Sequence, residues 1–425
     1  MISSYTIYLK FNLSIICIGL LANPLHADEW DIRGHTKYQL RYTDYPSDSL
    51  FSQLGYEDTT DQDLDFRLIA ENRWNHWDVR IHYQLIALYG DSLEVYRQLP
   101  DSPLFASLGI PTDDTRLFDL THVFVIEGTK ALLQRLDRLS VGYTTASYLI
   151  SFGREAVSWG NGLLYTPMDF FNPYAPTTVD KDYKTGDDML YGQWLYDSGN
   201  DLQGVIVPRR DPVSGDLDSD LGSVATKYHG FINGNEYDVL LARHFAEGML
   251  GTGFAMDWRE SVVRGDVTLT NTEDKIVVSA VANISYSWVW SDKNVTGFLE
   301  YFYNGFGMPN GNYDAQDLAE NTELMERLLR GELFTLGRNY LAGSLTIETT
   351  PLLLLTPNLF INLDDPSALF QFTGYYDWKH NLNFLAGFAV PIGPEGSEFG
   401  GVPTDTPGVY LSSGTSLYAQ IAYFF

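Results

Sequence analysis

Residues 30–42 read WDIRGHTKYQLRY, and this stretch decides the fold. Every second residue from Ile32 to Tyr42 is uncharged and mostly apolar. A period of two is that of a β-strand, because successive side chains of a strand point to opposite faces. The stretch therefore predicts a strand with one apolar and one charged face. The second face carries Arg33, His35, Lys37, Gln39 and Arg41.

The same alternation recurs along the chain. Residues 64–74 and 77–89 repeat it. Only the dipeptide Asn75-His76 separates these two stretches, which predicts a tight hairpin. The pattern continues to the terminal Phe425, and aromatic residues make up 14% of the chain. Strands of about ten residues with aromatic ends are typical of barrels that cross lipid at a tilt. We therefore predict an all-β, transmembrane antiparallel β-barrel.

The charge of the chain excludes one class of partner. The 425 residues include 27 basic and 55 acidic side chains, which gives a formal net charge of -28. Phosphate binding requires a positive surface, so we expect no nucleic-acid partner. The charged fraction of 19% is also below the roughly 25% of soluble domains.

The first residues have the features of a secretory signal peptide. Lys10 precedes an apolar run over 11–22, and Ala27 offers a small residue for cleavage. The run is too short to span a bilayer as a helix. We therefore predict a signal peptide over residues 1–27 and an outer-membrane β-barrel over residues 28–425. The predicted location is the outer membrane of a Gram-negative bacterium.

The number of strands follows less directly from the sequence. The number of candidate strands is odd, whereas two chain ends on the same side of the membrane require an even number. Counts from the two ends of the chain disagree between residues 117 and 157. We predict about 18 strands, with 16 as the alternative. The long outer connections are expected at 43–62, 90–116, 158–187, 209–222, 305–336 and 392–415.

The inward faces of the first three strands carry fixed charges of both signs. Such a wall in a water-filled lumen produces a transverse field that sorts solutes by charge. The same side chains can also form salt bridges that brace the wall. The predicted pore-lining residues are Arg33, Lys37, Arg41, Arg67, Arg73, Arg80, Glu71 and Asp78.

One long connection combines strand-breaking residues with aromatic rings. Gly and Pro residues in 158–187 cannot continue a strand ladder. Trp159, Tyr165, Phe170 and Phe171 follow no strand period, so these rings need another place to be buried. We predict that this loop folds into the lumen, packs the rings on the inner wall and forms a constriction. The predicted constriction residues are Arg154, Trp159, Asp169, Asn172, Asp180, Lys181, Asp182 and Lys184.

Residues 153–176, GREAVSWGNGLLYTPMDFFNPYAP, resemble a motif of outer-membrane porin-like barrels. The resemblance is to the alginate-export and porin-like groups of Gram-negative bacteria. Glu155 stands where the motif has Gln. The resemblance implies a channel or export barrel but no particular solute. It also implies that Phe425 is read by the barrel-insertion machinery as a partner. The matching residues are Gly153, Arg154, Trp159, Gly160, Gly162, Pro167, Asp169, Phe171, Asn172 and Pro173.

These observations predict an outer-membrane channel for diffusion or export of small hydrophilic or charged solutes. Lumen Arg, Asp and Glu residues and the loop 158–187 would set its selectivity. An accessory barrel of an envelope lipid or export machine remains an alternative, as does an outer-membrane hydrolase. A hydrolase needs a Ser-His or His-Asp arrangement, and no histidine lies in a recognisable catalytic string. We therefore expect no enzymatic activity, no cofactor and no metal, and we expect outer-membrane lipid and lipopolysaccharide as further partners.

Overall fold

The first strand, Trp30–Asp44, pairs along one edge with the second strand, Asp58–Trp74, and along the other with the last, Thr415–Phe424. The strands between them pair in the same antiparallel way, so the sheet closes into a barrel of eighteen strands, as the sequence predicts. The computed structural model describes residues 30–99 and 110–425. The predicted signal peptide over 1–27 lies outside the described residues.

Three of the strands that the structure describes are not among the eighteen that cross the barrel: β4 pairs with part of β5 and fills a gap in the wall, and β19 and β20 pair only with each other. In chain order the strands are β1 (Trp30–Asp44), β2 (Asp58–Trp74), β3 (Trp77–Gly90), β4 (Thr121–Glu127), β5 (Lys130–Thr144), β6 (Tyr148–Glu155), β7 (Asp187–Leu195), β8 (Asp201–Arg210), β9 (Leu217–Ile232), β10 (Asn235–His244), β11 (Glu247–Trp258), β12 (Ser261–Asn271), β13 (Ile276–Trp290), β14 (Lys293–Tyr303), β15 (Asn339–Thr350), β16 (Leu353–Asn362), β17 (Ser367–Lys379), β18 (Leu382–Ile392), β19 (Val402–Pro403), β20 (Tyr410–Leu411) and β21 (Thr415–Phe424).

The two ends of the barrel differ in the length of their connections. At one end, called the turn end, two to five residues join consecutive wall strands. Asn75 and Asn233 each open a turn there with φ of 53°, a left-handed conformation that asparagine tolerates better than most residues. The other end, called the loop end, holds all six long connections that the sequence assigns to the outside. The prediction that these connections share one end is confirmed.

The described residues form four short helices, all in connections at the loop end. They are α1 (Leu50–Gln53), α2 (Asp91–Gln98), α3 (Ala315–Glu320) and α4 (Thr322–Leu329). Among the residues that the structure describes, no helix has the length and apolar character needed to cross a membrane.

The two faces of the wall differ in chemistry. Many outward side chains are large, apolar and exposed, such as Ile32 at 62% and Trp194 at 51%. Rings line the turn end, where Tyr148 stacks on Trp194 with centroids 5.9 Å apart. An apolar belt with an aromatic rim is the surface that a barrel presents to lipid. Buried inward residues are mostly polar or charged and include His35, Lys37, Arg67, His82, Asp137, Asp238, Asp266 and Glu300.

A short extra strand explains the odd number of strand candidates. β4 pairs with residues 130–135 of β5, whereas β6 pairs with residues 139–144 on the same edge of β5. β4 therefore takes the place of a continuation of β6, which is only 8 residues long. Because β4 does not cross the barrel, the two counts disagree within 117–157.

The chain around β4 completes the wall above the short strands β6 and β7. We call residues 113–127 the wall patch. The backbone N–H of Arg210 on β8 donates to the carbonyl of Thr115 at 2.9 Å. The backbone N–H of Leu136 on β5 donates to the carbonyl of Leu120, also at 2.9 Å. The patch thus bridges β8 and β5 where β6 and β7 are absent.

Candidate functional site

The connection between β6 and β7 folds into the lumen, as the sequence predicts. We call residues 156–186 the in-folded segment. Its main anchor is Glu300 on β14, whose carboxylate accepts hydrogen bonds from the backbone N–H groups of Leu163, Leu164 and Tyr165 at 2.6, 2.9 and 2.8 Å. Asn283 on β13 donates to the same carboxylate at 3.1 Å. We call residues 156–165 the outgoing arm of the segment. Hydrogen bonds to an ionised acceptor are stronger than neutral ones, so this carboxylate fixes the outgoing arm.

The outgoing arm is held at two further wall positions. Asn161 donates its backbone N–H and its side-chain amide to Asp266 on β12, at 2.6 and 2.8 Å. The indole N–H of Trp159 donates to Gln203 on β8 at 2.7 Å. The addition of a Cβ at Gly162 would place it 1.8 Å from the carbonyl oxygen of Tyr165, so only glycine permits this tight bend.

Aromatic rings of the segment form the apolar core of the lumen. Trp159, Phe170 and Phe171 pack with apolar side chains of β8, β9 and β10. Tyr165 stacks on Phe302 of β14 with ring centroids 4.7 Å apart and planes 8° apart. All four rings are at most 5% exposed. The predicted burial of these rings against the inner wall is therefore confirmed.

Residues 176–186, which we call the returning arm, contact other strands than the outgoing arm does. Gln371 on β17 donates to the carbonyl of Thr177 at 2.9 Å. Lys37 on β1 donates to both Asp180 and Asp182 at 2.6 Å. Arg67 on β2 lies over the ring of Tyr183, 4.2 Å from its centroid. The segment thus contacts strands around much of the barrel before it enters β7.

A buried ion pair joins the two arms of the segment. The ammonium of Lys184 lies 2.6 and 2.7 Å from the carboxylate oxygens of Asp169 and 2.6 Å from the carbonyl of Val157. Burial raises the pKa of Asp169 to about 6, and the neighbouring ammonium only partly opposes this shift. The pair therefore places a carboxyl group with a pKa in the mildly acidic range between the two arms of the segment.

The segment leaves open space on one side of the lumen. A cavity of about 630 Å³ lies between the returning arm and the strands β16, β17, β18 and β21. We call these four strands the neutral wall, because they contribute no charged residue to the cavity lining. Charge in the lining comes from Lys37, Asp180, Lys181 and Asp182. A smaller space of about 220 Å³ lies against β3, β6, β7 and β8, next to Asp78, Arg80 and Glu155.

The structure separates the predicted constriction residues into two groups. Asp180, Lys181 and Asp182 line the large cavity. Asp169, Lys184 and Trp159 are buried contacts that fix the segment. Asn172 is half-buried in a left-handed bend with φ of 51°. Whether any of these residues restricts passage stays a prediction.

Arg154 lies outside the in-folded segment and has no exposed surface. Its guanidinium donates to Asp188 on β7 at 2.8 Å, and to Asp113 and the carbonyl of Phe118 in the wall patch at 3.1 and 2.8 Å. This geometry corrects the placement of Arg154 at a constriction, because a fully buried side chain cannot face a solute. The motif residue instead joins β6, β7 and the patch. Its neighbour Gly153 has φ of 132°, and an added Cβ would lie 2.1 Å from the carbonyl oxygen of Leu139.

The predicted pore-lining residues also differ in exposure. Arg33 and Arg41 are about half exposed near the two ends of β1. Arg73 is exposed near the turn end. Arg67 and Asp78 are buried in the wall. Glu71 pairs with Arg33 at 2.9 Å, and Arg80 pairs with Glu155 at 3.3 Å. Several of these charges therefore brace the wall, which is the second role that the sequence allows.

Sequence reasoning missed a charged cluster on β5. Asp137 accepts hydrogen bonds from Arg67 at 2.7 Å, from Arg138 at 3.0 Å and from Arg135. All four side chains are less than a tenth exposed. The alternation of β5 contains this signal, since Arg135 and Asp137 occupy alternate positions. This alternation is hard to recognise in the sequence, because the strand assignment between residues 117 and 157 is ambiguous.

A second missed cluster has the order of groups found in a hydrolase triad. The Oγ of Ser223 lies 2.7 Å from Nδ1 of His244, and Nε2 of His244 lies 2.9 Å from Glu332. However, Arg209 also donates to the same Oγ at 2.6 Å. Ser223 and His244 are each only 3% exposed, and the rings of Phe170 and Phe245 pack on His244. A substrate has no approach to the hydroxyl, so this cluster joins β9 and β10 to the loop between β14 and β15, which holds Glu332.

That loop, residues 304–338 with α3 and α4, covers part of the loop end. Arg327 lies 3.7 Å above the ring centroid of Phe306 and pairs with Glu323 at 2.8 Å and with Glu247. A second outer loop, 393–414, is tied to it by Glu398, which accepts from the backbone N–H of Leu336 at 2.8 Å. Burial raises the pKa of Glu398 to about 7. No group of three or more potential metal ligands occurs within residues 30–99 and 110–425.

No protein-family model matches the chain, and no curated protein sequence matches it. Solved structures are similar in fold. OccAB3 of Acinetobacter baumannii has a TM-score of 0.52 at 10% identity, with 93% of this chain and 99% of that chain covered. Wzi of Escherichia coli, an outer-membrane protein described as a carbohydrate-binding β-barrel, has a TM-score of 0.51 at 10% identity, over 96% and 87% of the two chains.

OccK8 (OprE) of Pseudomonas aeruginosa has a TM-score of 0.51 at 7% identity, with 94% of this chain and 98% of that chain covered. Identities this low establish a common architecture only. The closed sheet and these likenesses agree, and the chain has the fold of a porin-like, eighteen-stranded barrel.

Proposed function

We propose that the chain is a channel in the outer membrane of a Gram-negative bacterium, and that small hydrophilic solutes pass through it by diffusion or export. The observation that carries the proposal is the in-folded segment. It is fixed to the inner wall by Glu300, Asp266 and Lys37, and it leaves a cavity of about 630 Å³. A closed barrel narrowed by a fixed inner loop selects solutes by the size and charge of the remaining space.

The proposed location and partners of the chain rest on the outer surface and the two ends of the barrel. The exposed apolar belt fits a lipid bilayer, and the loop end would face lipopolysaccharide at the cell surface. A signal peptide over 1–27 would direct export. Phe425 directly follows β21 and exchanges backbone hydrogen bonds with Gly34 on β1 at 2.8 and 3.0 Å, so the proposed insertion signal is held against the first strand. We expect no enzymatic activity.

A narrowing variant tests the proposal. Thr178 lines the cavity, whereas Thr406 is exposed in the outer loop 393–414. The purified chain should conduct ions in a planar bilayer, and Thr178→Trp should reduce the single-channel conductance about twofold or more, because the new ring fills the cavity. Thr406→Trp is the matched control and should leave conductance unchanged. Absence of conductance in the wild type, or equal conductance in both variants, would contradict the proposal.

One observation favours a second candidate, an accessory barrel of an envelope lipid or export machine. The loops 304–338 and 393–414 are joined over the loop end by Glu398, which also accepts from Asn362 at 2.6 Å. Such a cover suits a barrel that presents a surface to a partner. Wzi, similar in fold, is described as involved in capsule assembly. A silent wild-type protein in the bilayer experiment would favour this candidate.

A further inference from the structure

The lining of the large cavity has an unusual balance of chemistry. The neutral wall contributes four side-chain amides, two threonines, one tyrosine and several apolar groups to it. The amides are Asn358, Gln371, Asn383 and Gln420, the threonines are Thr356 and Thr373, and the tyrosine is Tyr375. A ligand on this surface meets neutral hydrogen-bonding groups beside apolar faces.

The charges on the other side of the cavity cancel. Lys37 is held between Asp180 and Asp182 at 2.6 Å from each. Lys181 adds one more positive charge, so the two lysines and two aspartates have a formal sum of zero. Since the carboxylates are already engaged by Lys37, a cationic solute would displace an existing pair in order to bind. A cation entering the cavity would lose hydration without a free carboxylate to compensate it, and an anion would meet only the ammonium of Lys181 beside two carboxylates, which disfavours ionic solutes.

Several polar atoms of the neutral wall have no partner within the described residues. The Oγ1 of Thr356 makes no hydrogen bond there, and Asn358 uses only its NH₂ group, on Gln371 at 3.1 Å. Gln420 likewise uses its NH₂ group, on Asp180 at 2.9 Å, and leaves its carbonyl oxygen available. A solute with many hydroxyl groups can satisfy such acceptors and donors.

Aromatic and aliphatic groups complete the lining. Phe360, Tyr375 and Phe424 supply rings, and Leu354 and Leu385 supply aliphatic surface. A solute whose own ring carries polar groups at its edge and C–H groups on its faces can contact both the amides and the apolar groups of this lining. The volume lies within the range of about 300–1,000 Å³ typical of small-molecule sites.

We propose that the cavity is a binding site for uncharged polyhydroxylated solutes, namely neutral mono- or disaccharides and polyols. The inference rests on the proposed function, because it names the class of solute that the channel carries. Binding occurs between the returning arm of the in-folded segment and the neutral wall. Charged sugar acids of the same size bind more weakly.

The test compares a neutral sugar with an acidic one on the full chain in detergent. Trehalose binding is measured by calorimetry, and sodium glucuronate serves as the charged probe. Trehalose should bind at least threefold more tightly. Thr356→Val, which removes one hydroxyl and keeps the shape, should weaken trehalose binding about fivefold, the equivalent of about 1 kcal/mol for one hydrogen bond. Thr346→Val is the control, since Thr346 lies on β15 outside the cavity lining.

The outcomes separate the inference from the proposed function. Tighter binding of glucuronate would overturn the inference and assign the anchoring role to Lys181. No binding of trehalose, or equal effects of the two valine variants, would also overturn it. Conductance is measured in parallel in planar bilayers. A conducting channel that binds no trehalose refutes only the inference, whereas a trehalose-binding protein without conductance refutes the channel and the transport role while the site itself stands.

Discussion

The neutral wall and the strands β2 and β5 share the same alternation of residues but differ in what their inward side chains do. On β2 and β5, inward residues such as Arg67 and Asp137 are ionic, buried and paired at 2.7 Å. On β16 and β17, inward residues such as Thr356 and Gln371 are uncharged and line open space. The difference shows that inward charge on β2 and β5 braces the wall, whereas the barrel strands β16 and β17 border the large cavity with neutral groups.

The largest expected effect on the stability of the barrel comes from replacing Arg154. Arg154→Met should leave Asp113 and Asp188 buried without their shared cation, and breaking a buried pair in this way costs about 3–5 kcal/mol. We expect a large drop in the unfolding temperature of the detergent-solubilised barrel, measured by circular dichroism. Arg41→Met is the control, because its side chain is half exposed and should change stability little. Equal stability of both variants would mean that the wall patch does not depend on Arg154.

The next largest effect is expected from Glu300, the main anchor of the in-folded segment. Glu300→Leu removes the acceptor of three backbone N–H groups and should release the outgoing arm. We expect single-channel conductance to rise severalfold and the segment to become sensitive to protease. Glu348→Leu, also on an inward position but bonded to Asn294 instead of the segment, is the matched control. Unchanged conductance in Glu300→Leu would show that other contacts suffice to hold the arm.

The smallest expected effect is a pH dependence from Asp169. Its folded pKa of about 6 lies above the ordinary value near 3.9, so its contribution to stability is complete below about pH 4 and is lost as pH rises through 6. The wild type should therefore unfold at a higher temperature at pH 5 than at pH 7. This gain should be smaller in Asp169→Asn, in which Glu398, with its pKa raised to about 7, still contributes. A wild type and variant with parallel pH profiles from 4 to 7 would contradict the assignment.

The sequence predicts the barrel well because alternation is local. The rings of Trp159 and Tyr165 likewise predict burial, since they follow no strand period. The anchors of the in-folded segment could not be predicted, because Glu300 lies 135 residues from the backbone N–H of Tyr165 that it accepts. Arg154 was misplaced for the same reason: its partners Asp113 and Asp188 are distant in sequence.

Asp180 gives the in-folded segment a consequence for assembly. Its carboxylate takes hydrogen bonds from Lys37 on the first strand and from Gln420 on the last, at 2.6 and 2.9 Å. These two strands are neighbours only in the closed sheet, so Asp180 can contact both of them only once the sheet has closed. Asp180 thus connects β1 and β21 from inside the barrel. The segment that borders the large cavity therefore also ties together the two strands that close the barrel, and a substitution of Asp180 would alter both contacts.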